Sequence, residues 1–233
     1  MSDLPGGPLA SRPLRFFWAL DVSSSMAGYK IGELNFAVRE ALEPMRQTAD
    51  ENPHASVEVS VLTFGTGTKW LTPGPVKLEA FSWTDLTVNG WTDMGQALRE
   101  LAKELSVDAM PPRSLPPVVV LVTDGQPTDD FEGGLAEFMS QPWAKKAIRI
   151  GIAIGSDADL DLLRRFIAHQ EMEPLLARNS SDLVRFIKWA STQVVKFASA
   201  PPSQGSGSSK AALSPMDMMP PPPPADASAT DIW

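Results

Sequence analysis

Val118-Val119-Val120-Leu121-Val122 constrains the fold more than any other stretch. The run is continuous, apolar and almost wholly β-branched, with no polar residue on alternate positions. Such a segment is a strand buried on both faces, the kind found in the middle of a largely parallel sheet covered by helices. It ends in Thr123-Asp124-Gly125, so the strand delivers a carboxylate where it gives way to a loop.

A second strand does the same. Leu14-Arg15-Phe16-Phe17-Trp18-Ala19-Leu20 is short, aromatic and apolar, and Asp21-Val22-Ser23-Ser24-Ser25 follows it. In open α/β sheets, ligands bind beyond the carboxyl ends of the strands. A carboxylate with hydroxyls on alternate residues suits a hard, oxygen-seeking cation such as Mg²⁺. The same residues also suit a polar turn that caps the next helix.

Taken in order, residues 1–13 hold Pro5, Gly6, Gly7, Pro8 and Pro13 and read as a flexible leader. After the Asp21 loop a helix is predicted from near Gly28, with Ile31, Leu34, Val38, Leu42 and Met45 on its apolar face. Pro44 lies inside that pattern and is expected to kink or weaken the last turn. Val57 to Phe64 is a strand, and Gly65-Thr66-Gly67 turns it into a partner, Thr68 to Leu71. That hairpin predicts one antiparallel edge on the parallel sheet. Residues 72–91 read as loop, anchored by Leu78, Phe81, Trp83 and Leu86.

Gly90-Trp91-Thr92 opens a helix with Met94, Leu98, Leu101 and Leu105 on one side. After the Val-rich strand, Thr128 or Asp129 is expected to cap a helix carrying Phe131, Leu135 and Phe138. Ala147 to Ile154 is a strand, followed by a helix with Leu160, Leu163 and Ile167. Met172 to Ala177 reads as a short last strand, and Asn179 to Ser181 as the cap of a final helix with Leu183, Ile187, Ala190 and Val194. The fold class predicted is α/β: a Rossmann-like three-layer sandwich with helices on both faces of the sheet. Its bounds are 14–198. Residues 199–233, rich in Pro, Ser and Gly, are expected to form a disordered tail with a polyproline stretch at Pro220 to Pro224. The terminal Asp231-Ile232-Trp233 is either an inert end or a docking motif.

Three loops thus supply oxygen donors: Asp21, Ser23 and Ser25; Thr92; and Asp124. This constellation resembles the metal-ion-dependent adhesion site of von Willebrand factor A domains, which carry Asp-x-Ser-x-Ser, a distant Thr and a Thr-Asp-Gly loop. The resemblance covers about Arg15 to Val195. It implies a divalent ion (Mg²⁺, with Mn²⁺ or Ca²⁺ behind it) held at the surface by Asp21, Ser23, Ser25, Thr92 and Asp124. It also implies a protein partner whose Asp or Glu fills the open coordination position. Trp91 stands where the family often has a second glycine. It would either shape the rim, with Tyr29, Thr66 and Thr128 on neighbouring loops, or tuck into the core. Val61-Leu62-Thr63-Phe64 and the run from Leu121 to Asp130 look closest to bacterial proteins of the tellurite-resistance TerY type. That likeness implies a scaffold in stress or defence signalling, with a protein kinase and a Ser/Thr protein phosphatase. The alternative is an accessory subunit of a AAA+ ATPase of the chelatase type.

Composition narrows the function further. With 28 acidic against 20 basic residues the net charge is -8, which disfavours nucleic acid or an anionic membrane as partner. Cysteine is absent, so there is no thiolate nucleophile and no Cys-based zinc site. No apolar run reaches transmembrane length and no signal peptide is seen, so a cytoplasmic protein is the expectation. An enzyme is not expected. A haloacid-dehalogenase-type phosphatase needs a second acid two residues after its first Asp, and position 23 is Ser. There is no Gly-x-Ser-x-Gly elbow, and Gln96 stands where a Walker loop needs lysine, which leaves Mg²⁺-dependent phosphotransfer the weakest reading.

Overall fold

The computed structural model describes residues 11–52, 54–199, 216, 219–225 and 233. Seven strands form one sheet: β1 (Arg12–Asp21), β2 (Ala55–Gly65), β3 (Gly67–Trp70), β4 (Val76–Lys77), β5 (Val118–Thr123), β6 (Ile148–Ile154) and β7 (Leu175–Ala177). The order is β3-β2-β1-β5-β6-β7, with β4 also paired to β2. Pairs β1–β2, β1–β5, β5–β6 and β6–β7 are parallel, whereas β3 and β4 run antiparallel to β2. The fold is therefore the α/β sandwich predicted, with its antiparallel edge. Strand β4 is an addition, since it lies inside the stretch read as loop.

Among the described residues six α-helices cover the sheet: α1 (Tyr29–Asp50), α2 (Met94–Glu104), α3 (Phe131–Ser140), α4 (Pro142–Lys146), α5 (Leu160–Ile167) and α6 (Ser180–Ser199). Helix α1 packs on α6 and α2 on α3. The residues chosen by helical spacing do the packing: Leu34, Val38, Leu42 and Met45 on α1 and Met94, Leu98 and Leu101 on α2 are all buried. Every residue of β5 and β6 is buried, as a central strand between two helical layers requires. On β6 that includes Arg149, whose guanidinium donates to the carbonyls of Ala144, Phe166 and Ile167 and so ties the strand to α4 and α5.

Pro44 lies inside α1, which continues to Asp50 and packs on α6. Four expectations are corrected. Tyr29, expected on a loop, is the first residue of α1. Asp129 does not cap α3. Its two carboxylate oxygens accept from the N–H groups of Gly95 and Gln96 at the start of α2, and Asp130 caps α3 through Gly133. Arg12 and Pro13, read as part of a flexible leader, already pair with β2, and Arg12 donates to the carbonyls of Arg113 and Ser114. Residues 1–10 lie outside the described ones.

The fourth concerns residues 199–233, expected to have almost nothing to bury. Met216 is 4% exposed and joins the core, with Met219 and Trp233 packed against it. The Trp233 indole N–H donates to the carbonyl of Ala177 on β7 at 2.9 Å, and Arg185 donates to the carbonyl of Pro224 at 2.8 Å. Pro220, Pro221 and Pro222 line a groove with His169, Met172 and Leu175. Scattered apolar residues at wide spacing escape a compositional reading, although Met216 is buried like a core residue and Met219 and Trp233 are partly buried. The rest of that stretch, with the Asp231 and Ile232 of the possible docking motif, lies outside the described residues.

Candidate metal centre

The register Leu20↔Val122 sets the ends of β1 and β5 side by side, so Asp21 and the Thr123-Asp124 pair emerge together. Asp21 is held from two directions. One carboxylate oxygen accepts from the Ser23 backbone N–H at 2.7 Å, and the other from the Thr123 hydroxyl at 2.5 Å. The turn that follows brings the Ser23 and Ser25 hydroxyl oxygens to 2.9 Å of each other. Ser25 in turn donates to Asp124 Oδ1 at 2.7 Å. Asp21, Ser23, Ser25 and Asp124 are thus one hydrogen-bonded chain of oxygens.

Thr92 reaches this edge by a different route. Gly90 has φ +63, a conformation that favours glycine, and a Cβ there would stand 2.0 Å from the Thr66 hydroxyl. Its carbonyl accepts from Ser24 N–H at 2.8 Å, which joins the second loop to the first. The Thr66 hydroxyl accepts from Trp91 N–H, and the Thr128 hydroxyl accepts from Thr92 N–H, both at 3.0 Å. Thr92 is 5% exposed, and its hydroxyl takes no hydrogen bond among the described residues.

The carboxylates are not at the surface, contrary to expectation. Asp21 is 0% exposed and Asp124 1%, and both Ser25 and, from the first turn of α1, Lys30 bond to Asp124. Burial pushes the Asp21 carboxyl up to about 6, against the opposing pull of its hydrogen bonds to Ser23 and Thr123, and the nearby Asp124 raises it further. One cation answers these two carboxylates: Lys30, whose Nζ is 2.6 Å from Asp124 Oδ2. One buried negative charge is left without a cation, and a neutral hydroxyl at Thr92 is left over. These two features are what a divalent ion would use, so the donor set fits one. Among the described residues no group of three or more His, Cys, Asp or Glu gathers, either here, where two carboxylates and hydroxyls make up the donor set, or elsewhere.

Of the four residues expected at the rim, Trp91, Thr66 and Thr128 lie on loops and Tyr29 is the first residue of α1. Trp91 is 67% and Tyr29 81% exposed, which decides between rim and core for Trp91, and Thr66 and Thr128 are exposed as well. Sequence reasoning missed Lys30, because a lysine near a helix start carries no motif. It also missed Asp93, whose carboxylate accepts from Gly67 N–H at 2.7 Å and so braces the hairpin against the Thr92 loop. The acidic residue next to Thr92 was the available signal. No helix among the described residues is long and apolar enough to cross a membrane.

No protein-family model and no curated protein matches the sequence. Solved structures do match, at low identity. The von Willebrand factor type A structure from Catenulispora acidiphila aligns with TM-score 0.60 and 16% identity over 79% of this chain and 43% of its own. Proximal thread matrix protein 1 from the mussel byssus, with a zinc-occupied adhesion-site motif, aligns with TM-score 0.58 and 18% identity over 80% and 48%. The pilus adhesin SpaC from Lactobacillus rhamnosus GG aligns with TM-score 0.64 and 12% identity over 79% and 31%. This chain therefore spans less than half the length of each of the three. Strand order, parallel pairing and these alignments agree: the chain carries the fold of the von Willebrand factor A domain.

Proposed function

We propose that this protein is a metal-ion-dependent protein-binding adaptor rather than an enzyme. One observation carries the reading. Two buried carboxylates, Asp21 and Asp124, are hydrogen-bonded to Ser23, Ser25 and Thr123 where β1 and β5 end, and the Ser24 N–H ties the Thr92 loop to theirs through the Gly90 carbonyl. Asp21, Ser23, Ser25, Thr92 and Asp124 would hold the ion. Mg²⁺ is the first candidate because the donors are all oxygens and few are charged, with Mn²⁺ and Ca²⁺ next. Zn²⁺ belongs in the same test, because the mussel protein of the same fold is described with zinc in its motif. Once bound, a dication among mostly neutral ligands keeps positive charge that attracts a carboxylate.

The chain's own residues then set what docks. Trp91 and Tyr29 offer aromatic surface around the contact, the residue type that dominates protein interfaces. Thr66 and Thr128, whose hydroxyls already accept from the Trp91 and Thr92 backbones, hold that rim in place. A partner Asp or Glu would complete the ion's shell. Catalysis finds no support in the residues. Ser23 stands where a phosphatase of this topology needs its general acid, and the only ammonium at the site is committed to Asp124.

Calorimetric titration with Mg²⁺, Mn²⁺, Ca²⁺ and Zn²⁺ tests the site. The expected result is one saturable ion, abolished by Asp21→Ala; no binding at millimolar concentration would end this reading. A role beside a protein kinase and a Ser/Thr phosphatase in stress or defence signalling, as in TerY-type proteins, is the finer proposal. The alternative is an accessory role beside a AAA+ ATPase. Co-purification with and without EDTA separates them: chelation should release a kinase or phosphatase in the first case and a AAA+ protein in the second.

A further inference from the structure

We propose that Lys30 is a resident cation of this site, one that a divalent ion has to displace from Asp124. Lys30 thereby sets the affinity for metal and delivers an ammonium to the rim when metal binds. The inference rests on the metal reading above.

The placement of Lys30 is unusual for its helix. It is the second residue of α1, and no acidic residue accompanies it in the first turn. The start of a helix carries partial positive charge, which disfavours an ammonium there. What holds the side chain is Asp124, 2.6 Å away and with no side-chain exposure, while Lys30 itself keeps 13%. The other Asp124 oxygen accepts from Ser25, which is linked to Ser23. The ammonium therefore ends the same chain of oxygens that would hold the ion.

Charge balance turns this contact into competition. Asp21 and Asp124 contribute two negative charges and Lys30 one positive. A dication alone would neutralise the pair; a dication beside Lys30 would leave the buried cluster positive. Like charges in a desolvated site repel far more strongly than in water. The ammonium rides on a flexible four-carbon stem. Its chain neighbour Tyr29 is exposed, so open solvent lies beside its point of attachment. Released from Asp124, Lys30 would stand at the rim, where an acidic partner residue arrives.

The test uses the full chain as wild type, Lys30→Met and Lys30→Arg. Lys30→Met keeps the apolar stem and removes the charge. Titrated with Mg²⁺ and Mn²⁺, Lys30→Met should bind about tenfold more tightly or better than wild type. Lys30→Arg should stay near wild type. Melted in EDTA, Lys30→Met should unfold at a lower temperature than wild type, because Asp124 has lost its cation, and saturating Mn²⁺ should erase that deficit. Equal affinities, weaker binding by Lys30→Met, or an unchanged melt in EDTA would overturn the proposal and leave the metal site standing. If neither wild type nor Lys30→Met binds either ion, the metal reading fails and this inference falls with it.

Discussion

At the ends of β1 and β5 the sheet closes over carboxylates; at the next two strands, β6 and β7, it closes over an indole. The first closure is polar throughout. Asp21 and Asp124 are buried among hydroxyls and backbone N–H groups, with a single ammonium facing them. The second is largely apolar. Trp233 lies against Gly155, where a Cβ would stand 3.2 Å from the ring, and Met216 sits in the core nearby in sequence. A polar link there is the indole N–H on the Ala177 carbonyl, which also takes Gly155 N–H at 2.9 Å. Burying an undercompensated charge costs stability, whereas burying a Met or Trp side chain adds to it. The two neighbouring regions therefore point to different roles: one is strained toward a ligand, the other is sealed.

Substitutions should separate the two. The largest effect on stability is expected from Met216→Asp, which places a carboxylate in apolar surroundings. A loss of roughly 3 kcal/mol, or about 6–12 °C in melting temperature, follows for a chain of this size. Metal binding measured by calorimetry should be unchanged. A melt equal to wild type would show that the β7 edge is not sealed by this segment.

The pH dependence of the metal-free protein comes next. Asp21 holds its proton up to about 6 in the fold, against 3.8 ordinarily, so the native chain binds that proton more tightly than the unfolded one. The contribution is fully present below about pH 4, is lost as pH rises to about 6, and is flat above. Its size is roughly 3 kcal/mol by the usual conversion, an upper figure. In EDTA, Asp21→Asn should therefore gain on wild type in melting temperature between pH 4 and 7, and saturating Mg²⁺ should restore wild type at pH 7. A constant difference between the two proteins across that range would mean that Asp21 is not strained.

Smaller still is Trp233→Ala. Loss of the ring contact and of one hydrogen bond is expected to cost about 1–2 kcal/mol and to speed amide exchange at Gly155. Unaltered exchange there would remove Trp233 from the seal. The smallest change in stability belongs to Trp91→Ala, within about 0.5 kcal/mol because the ring is exposed. Its effect should fall on partner binding alone, read as a weaker complex at saturating metal. A large drop in melting temperature would place Trp91 in a packing role instead.

The two closures also differ in how far they were legible. The polar one announced itself, because Asp21-Val22-Ser23-Ser24-Ser25 and Thr123-Asp124-Gly125 each follow an unmistakable buried strand. The apolar one was hidden, because Met216 and Trp233 are isolated in a stretch whose proline, serine and glycine content points to a chain with little to bury. Helix faces were readable from the 3.6-residue spacing, as Leu34, Val38, Leu42 and Met45 show. Helix caps were less so: Asp129 and Asp130 are adjacent and chemically alike, and only their placement assigns one to α2 and the other to α3.

What the sequence determined by itself was the α/β layering and which strands end in carboxylates. Hydrophobic periodicity and strand-end carboxylates are local properties, carried by neighbouring residues. Tertiary structure alone decided which charges meet. Lys30 and Asp124 are 94 residues apart, and Trp233 and Ala177 are 56 apart. Neither pair leaves a mark on its local sequence, because a salt bridge or a packed ring needs only proximity in space. The depth of the carboxylates was likewise a tertiary outcome. A strand end is ordinarily solvated, and here Asp21 and Asp124 are buried, with Ser25 and Lys30 bonded to Asp124.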